Sequence, residues 1–149
     1  MRVMFYTVVM KCVTTDDMIR LGKTIGVSLR GGECIELVGD VGAGKTTLVK
    51  GIAEALQADD VVQSPSFTIS REYTCRDGIV LKHYDFYRLH EAGVMKFELE
   101  ESLADPDTVN VVEWASTIDA VLPEHRIQVH IEADATSESR QVNVTGLQI

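Results

Sequence analysis

The chain has 149 residues, of which 45% are hydrophobic and 25% charged, the balance of an ordinary globular protein. That length predicts one domain, residues 1–149, large enough to bury a real core. A net charge of −9 without a basic patch argues against a chain that grips RNA or DNA by itself, and no apolar run approaches the ~20 residues that span a bilayer. The three cysteines, Cys12, Cys34 and Cys75, are widely spaced and form no C-x-x-C, so neither a zinc site nor a disulfide framework is indicated. They read as small buried hydrophobes of a cytoplasmic, reducing setting.

Val3 to Val13 is rich in β-branched and aromatic residues and predicts a first strand; with no small-residue cleavage site it does not read as a signal peptide. Thr14-Thr15-Asp16-Asp17 is a helix start, with a hydroxyl cap and acids in the first turn. Met18, Leu21 and Ile25 mark the apolar side of that helix. Arg30-Gly31-Gly32 turns the chain into an apolar run, Cys34 to Val38, which predicts the second strand.

The next eight residues, Gly39-Asp40-Val41-Gly42-Ala43-Gly44-Lys45-Thr46, match G-x-x-x-x-G-K-S/T in full, and a helical run to Leu56-Gln57 follows. A strand, a glycine loop and a helix N-terminus together make a cradle for phosphate, because converging backbone N–H groups and the positive end of the helix meet there. Lys45 suits β- and γ-phosphate oxygens, and the Thr46 hydroxyl suits Mg²⁺. A plain strand-to-helix turn is the alternative. It does not account for Lys45, since a lysine at a helix N-terminus is mildly unfavourable without an anion.

Beyond that helix, Val61-Val62-Gln63 leads into the polar, proline-broken Ser64-Pro65-Ser66-Phe67-Thr68. Three hydroxyls could order around a γ-phosphate as nucleotide switch loops do, although composition alone favours a plain connection. Phe67 to Cys75 and Ile79 to Phe86 are β-like, and Arg76-Asp77-Gly78 between them signals a hairpin. The sheet is therefore predicted to be mixed. Asp85 closes an apolar strand, where such loops are faced by a magnesium-holding acid; an exposed strand-end acid is the alternative. His83 should share the face of Asp85 and reads as a structural histidine. Its fellows His90, His125 and His130 form no metal spacing with it.

Glu91 to Ala104 predicts a helix, with Val94, Met95, Phe97 and Leu99 apolar and the acidic run Glu98 to Glu101 as a solvated face. Val109 to Glu113 predicts a buried strand. Glu113 either reaches the metal and the attacking water or caps a short helix from Trp114 to Val121. Trp114 reads as a core or interface aromatic. Ile127 to Ala133 and Gln141 to Val144 predict two last strands around a polar loop, Asp134 to Ser139. The whole is an α/β chain, expected as a three-layer P-loop NTPase with a mixed, mostly parallel central sheet.

Four blocks in order carry a resemblance over nearly the whole chain: Gly39 to Thr47, Ser64 to Thr68, His83-Tyr84-Asp85-Phe86-Tyr87-Arg88-Leu89, and Val112-Glu113-Trp114. Together they resemble the TsaE family, the P-loop ATPase of bacterial tRNA threonylcarbamoyladenosine synthesis. The resemblance implies that Asp40, Val41, Gly42, Ala43, Gly44, Lys45, Thr46 and Thr47 hold ATP. It implies a magnesium ion at Thr46, Asp85 and Glu113, with Lys45, Asp85 and Glu113 serving hydrolysis and Ser64 to Thr68 as the switch-like loop. By a looser alignment Thr15 and Arg140 touch the nucleotide. The implied activity is weak ATP hydrolysis in a complex with TsaB and TsaD, which handle the tRNA. Two departures stand out: Ser66 replaces a threonine, and Phe97 to Leu103 lacks the glycine and tyrosine usual there. A small-molecule kinase and a nucleotide-gated binding module without catalysis are the rival functions.

Overall fold

In the computed structural model, residues 5–40, 42–87 and 93–148 are described. The predicted positions Val3, Val41 and Glu91 therefore lie outside the described residues, as do Arg88, Leu89 and His90. The strands are β1 (Phe5–Cys12), β2 (Cys34–Val38), β3 (Ser70–Thr74), β4 (Val80–Asp85), β5 (Thr108–Glu113), β6 (Ile127–Ala133) and β7 (Arg140–Gln148). The helices are α1 (Thr15–Val27), α2 (Lys45–Ala55) and α3 (Gly93–Ala104).

All seven strands join one sheet in the order β1-β7-β6-β2-β5-β4-β3. The four central strands β6, β2, β5 and β4 are mutually parallel. Strand β7 runs against both β6 and β1, and β3 runs against β4. Five strands thus share one direction, so their carboxyl ends line up on one edge. The β3–β4 hairpin turns through Arg76–Gly78, with Asp77 at φ 56°, as its Asp-Gly pair predicts.

Alternation along the strands feeds two cores. Ile35, Leu37, Leu81, Val109 and Val111 face α1 and α2. On the opposite face Cys34, Tyr84, Phe86 and Val112 pack with Leu99 of α3. Helices on both faces make the three layers. On α3 only Leu99 of the four apolar residues is buried; Val94 and Phe97 stand 81% and 66% exposed. The predicted helix from Trp114 to Val121 is instead two 3₁₀ turns, Ala115–Thr117 and Asp119–Val121. Trp114 itself takes a left-handed backbone (φ 56°), which no α-helix continues.

Helix α1 starts on a capping box. The Thr14 hydroxyl accepts from Asp17 N–H at 3.1 Å, and the Asp17 carboxylate accepts from Val13 and Thr14 N–H at 2.9 and 3.0 Å. Those backbone donors, Thr14 first, hold the Asp17 carboxyl below its ordinary value. Helix α2 starts without a side-chain cap, on Gly44 at φ 106°. The two helices touch backbone to backbone. A Cβ on Gly51 would lie 2.1 Å from the Ile19 carbonyl oxygen, and one on Gly22 would lie 2.2 Å from that of Leu48.

Gly51→Ala should therefore reverse the usual helical preference for alanine and cost about 1–3 kcal/mol by overpacking, read as a lower urea midpoint. Asp17 gives a pH signature. Its folded pKa lies below the unfolded one, so its stabilisation is present above about pH 4 and fades as the pH falls through the folded value. Asp17→Asn should be less stable than the parent near neutrality, with the gap closing under acid in midpoints measured across pH.

Candidate functional site at the phosphate loop

The loop between β2 and α2 meets the carboxyl ends of the parallel strands. Gly42 and Gly44 take φ of 80° and 106°, which other residues resist. Gly39 is needed for a different reason: a Cβ there would lie 2.9 Å from the Ile131 carbonyl oxygen. Lys45, the first residue of α2, folds back so that its ammonium donates to the Gly39 carbonyl at 2.7 Å. The same Nζ lies 3.8 Å from Glu113 Oε1 and 4.0 Å from the centroid of the Trp114 ring. Burial pushes the Lys45 ammonium below its ordinary pKa, and Glu113, then Asp85 and Asp40, pull the other way.

Asp85 and Glu113 end neighbouring parallel strands and are direct register partners. Both are buried. Asp85 Oδ1 accepts from Tyr87 N–H at 2.9 Å, and Oδ2 accepts from the Ser66 hydroxyl at 3.1 Å. Glu113 Oε2 accepts from His83 Nε2 at 2.7 Å. The Glu113 carboxylate thus faces His83 and Lys45, and no α-helix follows it to be capped.

A cleft of about 420 Å³ brings together Gly42, Gly44, Lys45, Thr46, Thr47, Ser64, Ser66, Asp85 and Glu113, with Tyr87 and Trp114 beside them. A second cleft, of about 810 Å³, lies across the loop and shares Gly42, Gly44 and Thr47 with the first. Thr15 and Arg140 both line it, beside Cys12, Met18 and Ala43. The two clefts thus meet at the loop. Asp40 lines neither; its carbonyl accepts from Ala43 N–H at 3.0 Å. Val41 lies outside the described residues.

The 64–68 loop divides. Ser64 and Ser66 hydroxyls bond each other at 2.7 Å in the cleft, whereas Pro65, Phe67 and Thr68 do not line it. The loop closes with Ile69 N–H donating to the Pro65 carbonyl at 2.7 Å, at the cost of a β-branched residue at φ 68°. Three contacts had no signal in local sequence: Ser66 on Asp85, Trp114 over Lys45, and His83 on Glu113. Each joins segments that only the sheet brings together.

The cleft's donors suit magnesium. They are hard oxygens from Thr46, Ser66, Asp85 and Glu113. Among the described residues no group of three His, Cys, Asp or Glu could cage a metal alone.

Residues 12–142 match the family model for the threonylcarbamoyl adenosine biosynthesis protein TsaE. The chain belongs to the TsaE family. Its relatives include the tRNA threonylcarbamoyladenosine biosynthesis protein TsaE of Streptomyces coelicolor, 39% identical over 87% of this chain and 90% of that protein. The TsaE of Bacillus subtilis is 35% identical over 92% of this chain and 84% of that protein. The crystal structure of Bacillus subtilis YdiB superposes with a TM-score of 0.73 at 30% identity, covering 97% of this chain and 88% of that one. The three-layer P-loop NTPase fold expected from the sequence is therefore the fold observed. No described helix is long and apolar enough to cross a membrane.

The Ser66–Asp85 bond ties the loop to the end of β4. Ser66→Ala and Asp85→Ala should each speed amide exchange of residues 64–69 by roughly fivefold, the equivalent of about 1 kcal/mol for one hydrogen bond. The double variant should exchange no faster than Asp85→Ala, checked by mass spectrometry.

Proposed function

We propose that this protein binds and slowly hydrolyses Mg-ATP, and that it acts by nucleotide-dependent association with the TsaB–TsaD transferase. That pair would modify the adenosine beside the tRNA anticodon. One observation carries the reading: Asp85 and Glu113 end adjacent parallel strands and face Lys45 and Thr46 across one cleft. Membership of the TsaE family supports the pathway, and the acidic balance suits a subunit that leaves the tRNA to its partners.

The chain's own residues would act in order. Backbone N–H groups of the glycine loop and the uncapped start of α2 bind the phosphates. Lys45 exchanges the Gly39 carbonyl and the Trp114 face for phosphate oxygens, which relieves an ammonium that burial disfavours. Thr46 and Asp85 would hold magnesium. The ion supplies charge neutralisation on the phosphates, which two buried carboxylates beside them would otherwise oppose. The Ser66 hydroxyl holds Asp85 Oδ2, the acid that would serve magnesium, so the loop that carries Ser66 would respond to the nucleotide state. Glu113 Oε1, the oxygen on the Lys45 side, orients the attacking water.

In a reconstituted system with TsaB, TsaD and tRNA, ATP turnover should be slow for the chain alone and rise with the transferase pair. Lys45→Ala and Asp85→Ala should each abolish tRNA modification. Unchanged modification by either variant would overturn the reading. A phosphorylated metabolite appearing instead would favour a kinase.

A further inference from the structure

His83 is fully buried, at 0% exposure, in the middle of β4. Its Nε2 lies 2.7 Å from Glu113 Oε2. A carboxylate only accepts, so Nε2 donates. The other ring nitrogen, Nδ1, is buried with no partner. A leucine or phenylalanine here would bring no orphaned nitrogen, but it would take the donor from a buried carboxylate, and each buried unsatisfied polar atom is costly. Histidine therefore carries one unmet nitrogen as long as it serves Glu113. What histidine adds is one directed donor aimed at Glu113.

We infer that His83 is a positioning residue for Glu113: its Nε2–H holds Oε2, so that Oε1 is the oxygen offered to the cleft. The register explains the reach. Asp85 is the direct partner of Glu113, and His83, two residues earlier on β4, shares the face of Asp85 and pairs with Val111. Glu113 therefore leans back toward β4 to meet the ring, and its other oxygen remains 3.8 Å from Lys45 Nζ. A carboxylate tethered at one oxygen loses its freedom to swing, and that orientation is what a water-aligning group requires. This deepens the ATPase reading and rests on it for the role of Glu113.

The test compares His83→Leu, His83→Gln and His83→Asn in the full chain. The single-turnover hydrolysis rate at saturating Mg-ATP and the Kd of a nonhydrolysable analogue are measured separately, with thermal midpoints alongside. Glutamine can place an amide N–H where Nε2 was, and asparagine is too short. His83→Leu and His83→Asn should lower the hydrolysis rate about 10–100-fold, the usual effect of removing a partner that orients an active group. Nucleotide Kd should change less than about twofold on this argument, since His83 touches no phosphate-binding residue but acts through Glu113. His83→Gln should recover most of the rate.

A rate for His83→Leu equal to the parent's would overturn the inference. So would a His83→Gln as slow as His83→Asn, or losses that only track the midpoint. If His83→Leu does not fold, the glutamine and asparagine pair decides alone. Glu113→Ala run beside them separates the two levels. If Glu113→Ala hydrolyses normally, the role given to Glu113 fails. If it is inactive while the His83 variants are not, only the His83 inference fails.

Discussion

One ammonium group organises this molecule. Lys45 is buried where the glycine loop, β4 and β5 converge, and its charge is met by a carbonyl, a carboxylate and an aromatic face. None of these equals the hydration it has lost, as the direction of its pKa shows. Under the proposed ATP-binding role, a phosphate oxygen would take the place of these partners. Perturbed groups of this kind cluster at functional sites, which supports the proposed role of the loop.

The sheet supplies the rest by putting acids where the lysine points. Parallel pairing aligns the carboxyl ends of β2, β4 and β5, so the loop after β2 and the acids ending β4 and β5 meet on one edge. Antiparallel pairing of β4 with β5 would have sent Asp85 and Glu113 to opposite edges. The close seat of α2 against α1, possible only with glycine at 22 and 51, sets the depth at which the loop sits. A core requirement and a site requirement are thus joined through one helix.

The neighbouring polar contacts form a chain from cleft to loop. Ser66 holds Asp85, Tyr87 holds the other oxygen of Asp85, and the Tyr87 ring packs against Trp114 at 4.9 Å. Trp114 covers Lys45 from a left-handed backbone. A ligand that moved Lys45 or Asp85 would disturb this set, which includes the exposed Tyr87. Under the proposed role the response would be local and electrostatic, as in nucleotide switches.

The sequence by itself determined the glycine loop, the strand before it, the capped start of α1 and the Asp-Gly hairpin. Each is written in residues that are neighbours along the chain, so short-range sterics and hydrogen bonding decide them. Periodicity also marked β5 and β6 as strands, though it took the turns after Glu113 for one helix, because nothing nearby announced a left-handed Trp114. Only the tertiary structure decided that Asp85 and Glu113 are register partners and that Ser66 reaches Asp85. It alone decided that Trp114 lies over Lys45 and that His83 grips Glu113. Those contacts join residues 19 positions apart for Ser66 and Asp85, 30 for His83 and Glu113, and more still for Lys45 and Trp114. The physical reason is that strand order and register emerge from burying the whole sheet between its helices, and no local window contains that information.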